Sequence, residues 1–127
     1  RPCGEGVCQP DLIVDGLIGY GLEGAPRGDA VRLIRWANAQ DAPILALDTP
    51  SGLNTTTGRP QPPTIEADAT LTLALPKTGL REPSAADYVG SLYVADIGVP
   101  PALYASPALR LDVGSVFAPG GILYVFG

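Results

Sequence analysis

Two short apolar runs dominate the first half of the chain. Leu12-Ile13-Val14-Asp15 and Leu45-Ala46-Leu47-Asp48 each stop on an aspartate followed by turn residues. Continuous runs of this length are too brief for a helix and fit strands buried on both faces. Between them, Pro26-Arg27-Gly28-Asp29 supplies a helix start with Asp29 as the expected N-cap. Ala30 to Gln40 then puts Val31, Ile34 and Ala37 on one face, with Leu33 beside it and Arg32 and Arg35 elsewhere. Asp41-Ala42-Pro43 ends the helix. Strand, helix, strand is a βαβ unit, which implies neighbouring parallel strands joined by a right-handed crossover.

Downstream, Asn54 to Pro63 is rich in Thr, Pro and Gly and reads as an irregular connection. Ala69 to Leu75 alternates Thr with apolar residues, and Gly90 to Asp96 reads as another strand. From Pro100 onward the Pro, Ser and Gly content predicts a tail. Within it, Ile122-Leu123-Tyr124-Val125-Phe126 is either a short strand or an exposed end.

Composition narrows the chemistry. At 127 residues, 46% hydrophobic and 17% charged, the chain can build one core and is not a disordered segment. A formal net charge of −5 argues against a nucleic-acid partner, whose phosphates need Lys and Arg. No apolar run approaches the roughly 18 residues that span a bilayer, so no membrane partner is expected. With no His, imidazole triads and His-based zinc sites are excluded, and acid–base work falls to carboxylates, the single Lys77, Tyr or Cys. A chain with no Met that opens on Arg1 is expected to be processed or part of something longer. Cys3 and Cys8 lack the companions a metal site needs and read as plain thiols or a small local disulfide.

The βαβ topology puts Asp15 and Asp48 at the carboxyl ends of parallel strands, the edge where open α/β sheets bind ligands. If the strands are adjacent, about 4.8 Å apart, both carboxylates face one crevice, and a cation or one protonated carboxyl is expected there. Either aspartate could instead only cap its turn. Gly16 to Gly24 supplies closely spaced glycines that let backbone N–H groups approach a ligand. Its Gly19-Tyr20-Gly21-Leu22-Glu23-Gly24 matches G-x-G-x-x-G in letters, but a helix follows only after Ala25-Pro26-Arg27-Gly28. Thr49-Pro50-Ser51-Gly52 is a turn that would hold the Ser51 hydroxyl near Asp48, without the His a serine hydrolase needs. Lys77, where a strand gives way to a turn, is either ligand-facing or a solvated charge.

These residues together carry a resemblance. Val14 to Leu22, Ala46 to Leu53, Ala67-Asp68-Ala69-Thr70, Lys77-Thr78-Gly79-Leu80, Asp87-Tyr88-Val89-Gly90 and Val94 to Gly98 resemble, in order and spacing, the NAD(P)HX epimerase family, also called the YjeF N-terminal domain. The likeness runs from about Asp11 to Val99 and covers the C-terminal half of that domain, which divides the chain into residues 1–99 and a tail at 100–127.

The resemblance implies a three-layer αβα Rossmann-like α/β fold with a mostly parallel sheet, incomplete on its N-terminal side. It implies interconversion of the R and S epimers of hydrated NADH or NADPH, a step in nicotinamide cofactor repair, with NAD(P)HX as the small-molecule substrate. By position, Asp15 and Ser51 would help hold a potassium ion, and Gly19, Tyr20, Gly21, Leu22, Glu23, Gly24 and Ala25 would line the substrate. Asp48 would contact the hydrated nicotinamide and is the expected catalytic acid–base group. The family's Asn-rich phosphate loop has no counterpart here, Tyr20 stands where a small Thr is usual, and Asn54 replaces a frequent Asp. This chain alone is therefore expected to be inactive, and an isomerase only if the missing half is supplied. The competing reading is a non-catalytic binding or scaffold module of the same fold. A cytoplasmic setting is the default, and a homodimer is left open.

Overall fold

The computed structural model describes residues 9–19, 21, 23–114, 117 and 120–127. A five-stranded sheet in the order β1-β2-β3-β4-β5 organises it. The strands are β1 (Ile13–Asp15), β2 (Ile44–Leu47), β3 (Ala69–Leu73), β4 (Ser91–Ala95) and β5 (Ile122–Phe126). The first four run parallel and β5 is antiparallel to β4. The helices are α1 (Asp29–Asn38), α2 (Ala86–Val89) and α3 (Pro101–Tyr104), with 3-10 turns at Thr78–Arg81 and Pro83–Ala85.

The expected βαβ unit is present, since β1 and β2 pair in register Ile13↔Ile44 and Asp15↔Ala46 across α1. Helix α1 buries Ile34 and Ala37 against Ile44, Ala46, Ile65 and Ala67, as its apolar spacing requires. Its start differs from expectation. Gly28, at φ 59°, is the N-cap, and Asp29 is the first helical residue, making no capping bond and pairing instead with Arg32 one turn on. Asn38 fastens the far end, donating to the Thr64 carbonyl at 2.8 Å and accepting from Glu66 N–H at 3.0 Å.

A second cluster, Leu53, Leu80, Ala85, Val89 and Leu92, lies under the 3-10 turns and α2, with Val125 and Phe126 of β5 packed on it. Of the two readings open for Ile122–Phe126, a short strand or an exposed end, the strand is the one found. The reason is non-local: β4 offers an open edge, and the Ile122–Phe126 run pairs along it.

Both clusters lie on one face of the sheet. Across the other face runs a row set by register, Leu47–Leu71–Tyr93–Tyr124. Leu47 is 39% and Tyr124 58% exposed, and Val14, on the same face of β1, is 54% exposed. The fold class is α/β with a mostly parallel sheet, as expected.

Candidate functional site

The carboxyl edge of the parallel strands carries the residues singled out from the sequence. Asp15 closes β1 and is 3% exposed, the one charged side chain in the buried set. Thr49-Pro50-Ser51-Gly52 folds over it, its tight turn allowed by Gly52 at φ 92°. Ser51 donates its backbone N–H to Asp15 Oδ2 at 2.8 Å and its hydroxyl to Oδ1 at 2.7 Å, and Leu17 N–H reaches Oδ1 at 3.3 Å. Ile18 N–H in turn donates to Ser51 Oγ at 2.9 Å. The Ser51 hydroxyl thus serves Asp15 and ties down the start of the glycine-rich loop.

Asp48 follows β2 in the left-handed region at φ 68°, a conformation that L-residues other than Gly, Asn and Asp seldom adopt. Its N–H donates to the Leu71 carbonyl at 2.9 Å, so it is drawn toward β3. There its carboxylate forms an ion pair with Lys77, and Oδ1 also accepts Leu73 N–H at 3.4 Å. Lys77 Nζ donates further to Thr72 Oγ1 at 3.1 Å and to the Leu73 carbonyl at 3.2 Å. Both side chains of the pair are about four-fifths buried, at 20% and 18% exposure.

The single crevice shared by two carboxylates therefore resolves into two neighbouring arrangements. Asp15 is held by the Ser51 turn, whereas Asp48 faces β3, and the cation expected near the pair is, at Asp48, the Lys77 ammonium. Lys77 is thus not a freely solvated charge, since its ammonium is taken up by Asp48, Thr72 and the Leu73 carbonyl. Thr72 is the residue sequence reasoning missed. Its only signal is the Thr alternation in β3, which puts Thr70 and Thr72 on one buried face.

In the glycine-rich loop, Gly19, Gly21, Glu23, Gly24 and Ala25 are exposed. A Cβ at Gly16, Gly19, Gly21 or Gly24 would meet nothing within 4 Å, so the loop stands open. Tyr20, Leu22, Cys3 and Cys8 lie outside the described residues. Asn54 accepts Thr56 and Thr57 N–H at 3.0 and 2.9 Å, a turn bond an aspartate would make equally. The hollow lined by Pro10, Gln40, Asp41 and Pro43 lies at the opposite edge of the sheet, away from these carboxylates.

The Asp15–Ser51 pair fits a hard cation in donor type, a carboxylate and a hydroxyl in contact. The buried Asp15 charge has hydrogen bonds but no ionic partner among the described residues. No group of three or more Asp, Glu, His or Cys that could hold a metal occurs among the described residues, so the pair supplies only part of a coordination shell.

Residues 2–79 match the family described as YjeF-related protein N-terminus. The chain is 42% identical over 102 residues to an NAD(P)H-hydrate epimerase of Dehalogenimonas lykanthroporepellens, covering 80% of the chain and 40% of that protein. It is 43% identical over 90 residues to an NAD(P)H-hydrate epimerase of Rhodopirellula baltica, covering 71% of the chain and 37% of that protein. A bifunctional NAD(P)H-hydrate repair enzyme of Leishmania major is 38% identical over 117 residues, covering 92% of the chain and 21% of that protein. The chain thus spans two fifths or less of these relatives. The crystal structure of yeast ynu0 superposes with a TM-score of 0.68 at 17% identity, covering 91% of this chain and 46% of that one, and shares the fold.

Proposed function

The chain belongs to the family of YjeF-related protein N-termini, and we propose that it takes part in the reaction its relatives are named for, epimerisation of hydrated NADH and NADPH in cofactor repair. The observation that carries this reading is the Asp48–Lys77 pair at the carboxyl edge of the strands, which lies, like Asp15 and Ser51, inside the stretch matched to the family. An ionised carboxylate with one engaged oxygen can take and return a proton without any redox partner.

Adding water across an enamine double bond puts the hydroxyl on the carbon bonded to nitrogen, and such a centre inverts by ring opening. Asp48 takes the hydroxyl proton as C–O becomes C=O and the ring C–N bond breaks, its electron pair passing to nitrogen. The proton then returns from Asp48 to that nitrogen. Rotation about the freed carbonyl carbon and reversal of these steps closes the ring on the other face, with atoms, charge and electrons conserved.

Asp15 and Ser51 are assigned to a potassium ion, which would supply positive charge beside the buried carboxylate and toward anionic groups of the substrate. The 19–25 loop, Tyr20 and Leu22 included, is assigned to the substrate, its phosphates held by backbone amides because the chain is net acidic. No helix among the described residues is long and apolar enough to cross a membrane, and we place the reaction in the cytoplasmic nicotinamide pool.

The deciding assay supplies both epimers together with a dehydratase that consumes only one. The full-length protein is expected to drive conversion of the remaining epimer well above its spontaneous rate, and Asp48→Asn to abolish that gain. A rate equal to the spontaneous one in the unsubstituted protein refutes the reading.

A further inference from the structure

The proton economy of the Asp48–Lys77 pair assigns a role that the relatives' names do not. An ammonium has three protons, and Lys77 Nζ has three acceptors, Asp48 Oδ1, Thr72 Oγ1 and the Leu73 carbonyl. None is left over for a substrate. On the carboxylate side, Oδ1 accepts both Lys77 and Leu73 N–H, while Oδ2 has no hydrogen-bond partner among the described residues. We propose that Lys77 is a positioning residue: it holds the Asp48 carboxylate through Oδ1 in a fixed rotation, so that Oδ2 is the one oxygen that exchanges protons with the hydrated ring. This rests on the epimerase reading above.

Three features support the assignment. The backbone at Asp48 is held in the left-handed region by its N–H bond to Leu71, an arrangement that aims the carboxylate across to β3. Lys77 starts the Thr78–Arg81 turn, whose Leu80 is fully buried and whose Gly79 N–H bonds the Thr55 carbonyl at 2.8 Å, so the lysine backbone has little freedom. Thr72 is fully buried, which fixes the second acceptor of the ammonium.

The test uses the full-length protein with Lys77→Met, Lys77→Arg, Asp48→Asn and the Lys77→Met/Asp48→Asn double variant. Lys77→Met is expected to lower kcat for epimerisation at least 30-fold with KM within about threefold, and Lys77→Arg to recover part of that loss. The double variant should be no slower than Asp48→Asn, because Lys77 acts only through Asp48. A kcat within threefold of wild type for Lys77→Met, or a double variant slowed by the product of the single effects, overturns the assignment. If Lys77→Met does not fold, a Lys77→Arg kcat equal to wild type with a raised KM does the same.

The carboxyl 13C resonance of Asp48 separates failure of this inference from failure of the epimerase reading. It should move when Lys77 becomes Met and return toward wild type with Arg. An unmoved resonance overturns the positioning role whatever the assay gives, while a moved resonance in a protein without epimerase activity upholds the positioning and refutes the reaction.

Discussion

Ser51 meets Asp15 across 36 residues with both of its donors, the backbone N–H at 2.8 Å and the hydroxyl at 2.7 Å, and so closes a turn over the one buried charge of the described chain. Hydrogen bonds to a carboxylate are stronger than neutral ones, and a buried acceptor left unmet is costly. Ser51→Ala also strips Ile18 N–H of its acceptor. We expect Ser51→Ala to cost about 2 kcal/mol in chemical denaturation. Asp15→Asn should cost about as much, because one amide group would face donors with a donor. Losses under 0.5 kcal/mol in both would show that the pair contributes little to the fold.

The same pair gives the cation assignment a readout that needs no enzyme assay. A ligand that binds only the folded state raises its stability with concentration. Potassium chloride should therefore raise the melting temperature above that in an equal concentration of a bulky organic chloride. Asp15→Asn should abolish the difference. Equal melting temperatures in the two salts would count against a cation at Asp15 and Ser51.

Gly90 shows where the fold has no room. It ends α2 at φ 59°, and a Cβ built there collides with the Asp68 carbonyl, while Asp68 N–H bonds Ile44 O and Ser91 N–H bonds Asp68 O. The backbone cannot retreat without breaking the β3–β4 approach. Gly98, at φ 80° with nothing near a Cβ, isolates the strain without the clash. Gly98→Ala should cost about 1 kcal/mol. Gly90→Ala should cost more than about 2 kcal/mol, a fall in Tm of roughly 8 °C, and thermal melting of the two variants side by side checks the ordering.

What could be read from the sequence followed from local periodicity. Ile13–Asp15 and Ile44–Leu47 stand out because strands of a parallel sheet form unbroken apolar runs, and α1 because Ile34 and Ala37 recur at helical spacing. The helix start was misread because a glycine at positive φ, one residue earlier than Asp29, turns the chain into the helix. For Ile122–Phe126 the choice between a short strand and an exposed end stays open in the sequence because its partner β4 is a non-local edge. The two aspartates announced themselves by matched position, yet the pairing of Asp48 with Lys77, 29 residues apart, depends on how β3 lies beside β2 and on the turn that follows it. Thr72 was invisible as a site residue because nothing distinguishes its hydroxyl from that of Thr70 until Lys77 folds back.

Two residues at the same strand edge share a left-handed backbone, and they separate strain from chemistry. Ala74 follows β3 at φ 65°, where its N–H bonds the Ala95 carbonyl, and its methyl serves no site. Glycine takes that conformation without the Cβ penalty, so Ala74→Gly should leave stability unchanged or raise it by up to about 1 kcal/mol. Asp48, at φ 68°, carries the same strain with a side chain that the site uses. Asparagine tolerates this region as well as aspartate does, so Asp48→Asn keeps the backbone while removing the proton acceptor and the charge that Lys77 pairs with. We expect the Tm of Asp48→Asn to fall by no more than that of Ser51→Ala, while epimerisation drops at least about 100-fold, the lower end of what general acid–base catalysis contributes. If activity and Tm instead fall in proportion across Asp48→Asn and Ser51→Ala, Asp48 supports the fold and is not the group that moves the proton.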